Sequence, residues 1–209
     1  MSLVQNIVIV DYGVGNTYSV ANAIKYLGYS KLSISDEESV INKADVLILP
    51  GVGAFEEAIN NLRKRNLHQV LNQQVLVKKK PILGICVGMQ LMASFSEENG
   101  IHEGLNWIEG RVKKMELPCM FPVPHVGWND ISITLKPPLF DLTSTNANFY
   151  FDHSYSFNCE EEHISAFCDY SIKVTAAIQK ENIFGVQFHP EKSQTNGLKL
   201  FRSFFNSIN

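Results

Sequence analysis

The stretch that decides the fold is "PILGICVGMQ", Pro81 to Gln90, in which a short apolar run ends at a cysteine flanked by glycines. The run "PILGI" predicts a buried strand, and the following "VGMQLMASFS" predicts the beginning of a helix. A side chain at the tip of a tight strand-to-helix turn projects clear of the sheet, and glycines beside it avoid clashes with the neighbouring backbone. The pattern therefore predicts that Cys86 lies at the tip of a nucleophile elbow.

On the N-terminal side of this turn, short apolar runs alternate with helical segments. "NIVIV" (Asn6–Val10) and "VLILP" (Val46–Pro50) are typical of buried strands, and residues 54–80 offer helical material in two pieces. One helical stripe, closed by Gly28, consists of Val20, Ala23, Ile24 and Leu27. Strands that alternate with helices predict right-handed crossovers and a mostly parallel sheet with helices on its faces.

From about Gly104 onward, strand-like segments with turn signals between them replace this alternation. "AAIQKENIFGVQF" is typical of a hairpin about "KEN". The chain ends in a helical stripe formed by Leu198, Phe201, Phe205 and Ile208. We find no repeat, low-complexity segment or linker, so we predict one α/β domain over residues 1–209 with an antiparallel elaboration in its second half.

Composition excludes several classes of function. The 209 residues carry a formal net charge of −3, and the largest basic cluster is Lys78–Lys80, which argues against a nucleic-acid partner. No apolar run reaches the roughly 20 residues that span a bilayer, and the N-terminus lacks the features of a signal peptide. The four cysteines form no C-x-x-C pair, so we expect free thiols in a reducing, cytoplasmic setting. We also expect neither a metal nor a cofactor.

The thiol of Cys86 is the candidate nucleophile. A helix that begins directly after it brings backbone N–H groups and partial positive charge near the sulfur, which favours the thiolate. The N–H of Val87 would be a natural donor to a developing oxyanion. The alternative is a buried structural cysteine, which fits Cys119, Cys159 and Cys168. Those three cysteines lack flanking glycines. Cys86 has them, and because a structural cysteine would not need them, they favour the nucleophile interpretation.

A nucleophilic thiol needs a base, and the base needs a group that orients it. His189 ends the apolar run in "FGVQFHPEKS", where Pro190 stops the strand, and Glu191 is near enough to reach the far ring nitrogen. The alternatives are a locally bonded histidine and a surface carboxylate. Two other histidines in unusual contexts, His125 and His153, are predicted to be structural or interfacial.

These residues match a family. "GICVGMQ" and "QFHPEKS" resemble the class I (triad) glutamine amidotransferases, which have a flavodoxin-like α/β fold and use a Cys–His–Glu triad. The motifs "DYGVGN", "PGVGAF", "PHVGWN", "FYFDHSY" and "GVQFHPEKSQ" extend the likeness over nearly the whole chain. Among these enzymes, the chain is most similar to the HisH glutaminase subunits of imidazole glycerol phosphate synthase, and Met89, where many other triad glutaminases carry histidine, favours that branch.

The resemblance implies a role for each matching position. Cys86 would attack the carboxamide of L-glutamine, His189 would carry the proton to ammonia, and Glu191 would hold His189. An N–H at Val52 or Gly53, in "PGVG", would join that of Val87 in the oxyanion hole, although an ordinary loop explains these glycines too. The residues implied to bind glutamine are Gln90, Glu98, Ser154, Tyr155 and Ser156. Of these, Gln90 and Glu98 could equally be exposed helix residues.

The resemblance also implies a partner. Protonated ammonia is not a nucleophile, and HisH proteins deliver ammonia through a HisF cyclase, a (β/α)8 barrel that converts the nucleotide PRFAR to imidazole glycerol phosphate and AICAR in histidine biosynthesis. The positions implied to lie near this heterodimer interface are Asn16, Trp128, Asn129 and Lys192. An exposed Trp128 would suit a docking face, whereas its alternative is a core tryptophan.

The sequence leaves two alternative functions open. Asp152 replaces an expected apolar residue, and "GWNDI" is similar to HisH paralogues that feed ammonia, with a HisF-like barrel, to the amidation of a sugar for surface polysaccharides. Alternatively, the chain could keep the fold as a non-catalytic binding module. The combination of the Cys86 elbow with "HPE" argues against a binding module.

Overall fold

The computed structural model describes residues 6–135, 138–144 and 147–208. In the first half, strands and helices alternate as the sequence predicts. The strands are β1 (Ile7–Val10), β2 (Leu32–Ser35), β3 (Val46–Gly51) and β4 (Ile82–Cys86). The helices are α1 (Thr17–Tyr26), α2 (Glu38–Asn42), α3 (Phe55–Lys64), α4 (Leu67–Asn72), continued by a π-helical turn at Gln73–Val77, and α5 (Val87–Gln90).

The second half is rich in strands and ends in a helix. Its strands are β5 (Phe95–Ser96), β6 (His102–Glu103), β7 (Gly110–Lys114), β8 (His125–Ile133), β9 (Asn148–His153), β10 (Tyr155–Cys159), β11 (Ile164–Tyr170), β12 (Ile172–Lys180) and β13 (Ile183–Val186). Short 3₁₀ turns lie at Glu161–His163 and Pro190–Lys192, and α6 spans Gln194–Ser207.

Within the described residues, nine strands form the main sheet in the order β2-β1-β3-β4-β13-β12-β11-β8-β9. The first five of these are parallel, and the remaining four continue the sheet in antiparallel fashion. A smaller four-stranded sheet has the order β10-β7-β5-β6. The predicted hairpin about "KEN" is confirmed, because Lys180 of β12 pairs with Ile183 of β13 across a two-residue turn.

The central strands carry side chains that are buried on both faces of the sheet. Every residue of β1, β3, β4 and β13 is buried, which explains why these strands read as continuous apolar runs. Helix α1 packs against α6, while α3 packs against α4 and α5. No helix in the described part of the chain has both the length and the apolar character needed to cross a membrane.

The helix predicted from "VGMQLMASFS" is much shorter than expected, because α5 is a single turn and Phe95–Ser96 is a strand. The carbonyls that would continue the helix are used elsewhere: those of Leu91, Met92 and Ala93 accept hydrogen bonds from the backbone of residues 105–108. Gly104 permits this contact, since a Cβ there would lie 2.2 Å from the Ala93 carbonyl oxygen. Tertiary hydrogen bonds therefore end the helix.

Candidate active site

The turn after β4 has the geometry of a nucleophile elbow. Cys86 has φ 54° and ψ −112°, a backbone conformation that costs energy for a residue with a side chain. Both neighbouring glycines are needed for the close approach. A Cβ on Gly88 would lie 1.8 Å from the carbonyl oxygen of Leu49 on β3, and one on Gly84 would lie 2.7 Å from the carbonyl oxygen of Gly88. The one-turn helix therefore sits directly against the sheet, and Cys86 stands at its tip.

The base and its orienting carboxylate lie in the short segment after β13. His189 precedes the 3₁₀ turn that Pro190 begins, and its Nδ1 donates to Oε1 of Glu191 over 2.8 Å. Ser193 fixes the turn, because its hydroxyl donates to the His189 carbonyl and accepts from the Tyr150 N–H. The side chains of His189 and Glu191 are 3% and 1% exposed, so solvent screens their contact little.

Cys86 and His189 line the same cavity, although about a hundred residues separate them in the chain. Burial by itself would lower the pKa of His189. Hydrogen bonds to Cys86 and Glu191, together with their negative charges, outweigh the effect of burial and raise the pKa of His189 to about 10. At neutral pH this raised pKa favours the imidazolium form of His189.

A cavity of about 320 Å³ opens over this pair of side chains. It brings together most of the residues that the sequence predicts for catalysis and substrate binding. Its lining includes Val52, Gly53, Cys86, Val87, Gln90, Glu98, Ser154, Tyr155 and His189, with Pro124, Asp152, His153 and Lys192 at its other walls. Glu191 does not line this cavity, as expected for a residue that acts through His189.

The two segments predicted to form the oxyanion hole lie on either side of the sulfur. Gly51, the last residue of β3, pairs with Cys86 in the parallel register, so that Val52 and Gly53 follow immediately beside the elbow. Gly53 has φ +84°. On the other side, Val87 is the first residue of α5. These positions agree with the prediction, and the donor role itself stays a prediction.

The predicted substrate-binding residues divide into three groups. Gln90 is buried, and its Nε2 donates to the Tyr155 carbonyl over 3.1 Å and to Gln187 Oε1 over 2.9 Å. Glu98 accepts a hydrogen bond from the Phe55 N–H over 2.8 Å and thereby caps α3. Ser154 and Tyr155 line the cavity, whereas the buried Ser156 contributes to a separate surface depression instead.

The predicted interface residues differ in exposure and in their hydrogen-bond partners. Trp128 on β8 is 45% exposed and makes an edge contact with Tyr150, whose ring also lies under the Lys192 ammonium at 5.2 Å. A core tryptophan is thus excluded. Asn16 caps α1 through Ser19. The side chain of Asn129 is directed to internal partners, including the buried His125.

Sequence reasoning missed Gln187, which is fully buried and whose Nε2 lies 3.7 Å from the Cys86 sulfur. No local sequence signal marks Gln187, because it lies beyond the end of β13 and its place beside Cys86 follows from the register of β13 with β4. Sequence reasoning also missed Tyr12, whose buried hydroxyl donates to the Pro50 carbonyl over 2.7 Å. The two histidines expected to be structural or interfacial, His125 and His153, are buried with ring nitrogens 3.2 Å apart; burial lowers both pKa values to about 4.

The fold is that of a class I glutamine amidotransferase, and comparison with known proteins agrees. Residues 8–208 match the family model described as glutamine amidotransferase class-I, and the chain belongs to this family. Solved structures match the fold. A putative GMP synthase protein from Thermoplasma acidophilum gives a TM-score of 0.74 at 21% identity, over 97% of this chain and 92% of the other. A further glutamine amidotransferase gives 0.75 at 17% identity, covering 96% and 98%.

Within the family, the similar curated proteins are HisH subunits. The chain is 47% identical to imidazole glycerol phosphate synthase subunit HisH 2 of Vibrio vulnificus, over 97% of this chain and 94% of that protein. It is 46% identical to HisH 1 of Campylobacter jejuni, over 95% and 98%, and 44% identical to HisH 2 of Pseudomonas aeruginosa, over 97% and 100%. The chain is an enzyme of the HisH type.

Proposed function

We propose that this chain is one glutamine amidotransferase domain that hydrolyses L-glutamine to glutamate and ammonia with Cys86, His189 and Glu191. The observation that carries the proposal is the placement of the elbow thiol on one cavity with an imidazole whose Nδ1 is held by a buried carboxylate 2.8 Å away. A thiol nucleophile, an imidazole base and a carboxylate that orients the base are the groups that nucleophilic amide cleavage requires.

In the first half-reaction the Cys86 sulfur attacks the carboxamide carbon and a C–S bond forms. The C–N bond then breaks, and the leaving nitrogen takes a proton from His189 to depart as ammonia. In the second half-reaction water attacks the thioester and gives its proton to His189. The C–S bond breaks, which releases glutamate and restores the thiolate. Glu191 holds the imidazole in the orientation that both proton transfers need.

The cavity supplies the other groups that the reaction uses. The N–H groups of Val87 and of Val52 or Gly53 would stabilise the oxyanion of each tetrahedral intermediate. Gln90 and Glu98 would hold the amino-acid end of glutamine. Both Nε2 hydrogens of Gln90 are used within the protein, so its Oε1 is the atom offered to the substrate ammonium. Ser154 and Tyr155 would complete the wall of the cavity.

The ammonia goes to a HisF-like cyclase barrel, which uses it to convert PRFAR to imidazole glycerol phosphate and AICAR in the cytoplasm. The names of the relatives, as subunits of imidazole glycerol phosphate synthase, support this assignment. We assign the docking face to the exposed Trp128, the half-buried Tyr150 and the Lys192 ammonium, next to the cavity that Lys192 lines. We also place Asn16 and Asn129 near this face.

A two-part assay tests the proposal. Glutamate release is measured with the chain alone and with a HisF-like barrel and its nucleotide. We expect turnover in the complex, and we expect it to be lost in Cys86→Ala while synthesis from added ammonia persists. Glutamine-dependent turnover by Cys86→Ala would refute the nucleophile assignment. Absence of glutamate release by the wild-type complex would favour a non-catalytic binding module.

A second acceptor is favoured by one observation. Asp152 lies on β9, is exposed and lines the cavity, where the histidine-pathway proteins are expected to have an apolar residue. In this alternative the same glutaminase feeds amidation of a sugar for surface polysaccharide. Supplying the complex with PRFAR distinguishes the two acceptors, because only the histidine-pathway enzyme then forms AICAR.

A further inference from the structure

Gln187 occupies the position next to the nucleophile on the side away from β3. Strands β4 and β13 are parallel, with Val186 opposite Ile85, so the next residue along β13 lies beside Cys86. The backbone N–H of Gln187 donates to the Ala176 carbonyl over 2.9 Å, which fixes the main chain. Its side chain is completely buried and extends toward the sulfur.

The orientation of the Gln187 amide is set by its neighbours. Oε1 accepts a hydrogen bond from Nε2 of Gln90 over 2.9 Å, and that same Nε2 donates to the Tyr155 carbonyl over 3.1 Å. Because Oε1 of Gln187 serves as the acceptor, its Nε2 is directed at the sulfur, 3.7 Å away. The amide therefore presents an N–H donor to Cys86, and a flipped amide would place two donors against each other.

The other polar contacts of the Cys86 sulfur do not supply a hydrogen-bond donor to the thiolate. The Asp152 carbonyl lies 4.0 Å from the sulfur and can accept a hydrogen bond only from a thiol. Once the proton has gone to His189, this contact no longer contributes. His189 is itself needed as the proton carrier. Gln187 is the neutral donor among the described contacts of Cys86, and a buried thiolate is stabilised by such a donor.

We propose that Gln187 is a catalytic residue, which donates a hydrogen bond to the Cys86 sulfur and stabilises its negative charge. This role rests on the proposed glutaminase function. The charge is present before attack on the carboxamide, and it returns when the C–S bond of the thioester breaks and its electron pair passes to sulfur. Gln187 therefore favours the resting thiolate and the release of glutamate, whereas Val87 and the "PGVG" segment serve the substrate oxygen.

The test measures alkylation of Cys86 by iodoacetamide as a function of pH in the wild-type chain and in Gln187→Met. Peptide mass spectrometry resolves Cys86 from the exposed Cys119, which is the internal reference. We expect the pH midpoint of Cys86 alkylation to rise by about one pH unit in the variant, as for loss of a hydrogen bond to a charged group. Gln74→Met is the matched control, because Gln74 is a buried glutamine bonded to Asn42.

In the active complex, Gln187→Met should lower kcat/KM for glutamine about 10- to 100-fold, and thioester should accumulate in acid-quenched samples. If Gln187→Met does not fold, Gln187→Asn replaces it, because its amide is one methylene too short to reach the sulfur. Alkylation profiles of these variants that superimpose on the wild-type profile would overturn the role. Alkylation of Cys86 needs neither glutamine nor the partner, so it tests the role of Gln187 by itself. The proposed glutaminase function fails by a different result, the absence of turnover by the wild-type complex.

Discussion

At the scale of single residues, the site depends on charge placed where water is excluded. The side chains of His189 and Glu191 are almost fully buried and bonded to each other, and Cys86 lines the same cavity as His189. The sequence was sufficient to select these three residues because each has a local signal: flanking glycines, a strand stopped by proline, and a carboxylate two positions on. It was not sufficient for Gln187, whose importance depends on the register of β13 with β4.

The raised pKa of His189 predicts a pH dependence of stability. Its folded pKa of about 10 lies above the ordinary value of 6.5, so its contribution is complete below about pH 6.5 and is lost as pH rises toward 10. Glu191→Gln keeps the shape but removes one anion that raises this pKa. We therefore expect the free energy of unfolding, measured in urea from pH 7 to 10, to fall less steeply in the variant. Equal slopes would contradict the prediction.

A second residue-scale prediction concerns Tyr12, which lies beside the predicted oxyanion segment. Its hydroxyl donates to the carbonyl of Pro50, directly before "GVG". Tyr12→Phe should lower the free energy of unfolding by about 1 kcal/mol and reduce kcat for glutaminase more than it changes KM. Tyr170→Phe is the matched control, because Tyr170 donates to the Pro122 carbonyl away from this segment. Equal kinetic effects of both variants would argue against a special role for Tyr12.

At the scale of elements, the strand-to-helix turn was the best predicted feature and its helix the worst. Gly84, Cys86 and Gly88 give a local pattern that requires close packing, and the structure shows that packing. The length of α5 depends on residues 104–108, which take the carbonyls that the helix would have used. No pattern within residues 87–96 reveals that competition. The sequence analysis also missed strands β2 and β11. Strand β2 is short and only partly buried, so it has no continuous buried apolar run to mark it.

The elbow gives the element-scale prediction. Gly88→Ala would force its Cβ to within 1.8 Å of the Leu49 carbonyl oxygen, so α5 must move away from β3. We expect destabilisation by at least about 4 kcal/mol, as for severe overpacking against a rigid backbone. Urea unfolding measures the loss. Gly28→Ala is the control: its φ of +92° is also strained, but a Cβ there meets nothing within 4 Å, so we expect about 1 kcal/mol. Similar losses in both variants would disprove the packing argument.

At the scale of the whole molecule, one edge of the parallel strands carries the candidate active site, and the neighbouring face carries the exposed Trp128 and the half-buried Tyr150. Cys86 ends β4, the predicted oxyanion segment follows β3, and Gln187 and His189 follow β13, as expected for a site at the carboxyl ends of parallel strands. The antiparallel strands β8 and β9 extend the sheet and carry Trp128 and Tyr150 beside that edge. The fold class was predictable because alternation is local, whereas the order of the antiparallel strands depends on long-range pairing.

The exposed Trp128 predicts how the partner binds. Because its side chain is 45% exposed and makes an edge contact with Tyr150, Trp128→Ala removes contact area from the docking face with little effect on the chain itself. We expect the free energy of unfolding to change by less than about 1 kcal/mol. The dissociation constant for a HisF-like barrel, measured by titration calorimetry, should rise at least about 10-fold, as for an aromatic anchor at an interface.

Val77→Ala provides the control for this experiment. Val77 is 66% exposed and lies in the π-helical turn that precedes β4, at the end of the strand opposite Cys86. Its truncation removes exposed apolar surface as well, but at the other edge of the sheet, and we expect unchanged affinity for the barrel. A loss of affinity in Val77→Ala equal to that in Trp128→Ala would place the partner elsewhere. Ammonia would then have to leave the cavity by a route away from Trp128, Tyr150 and Lys192.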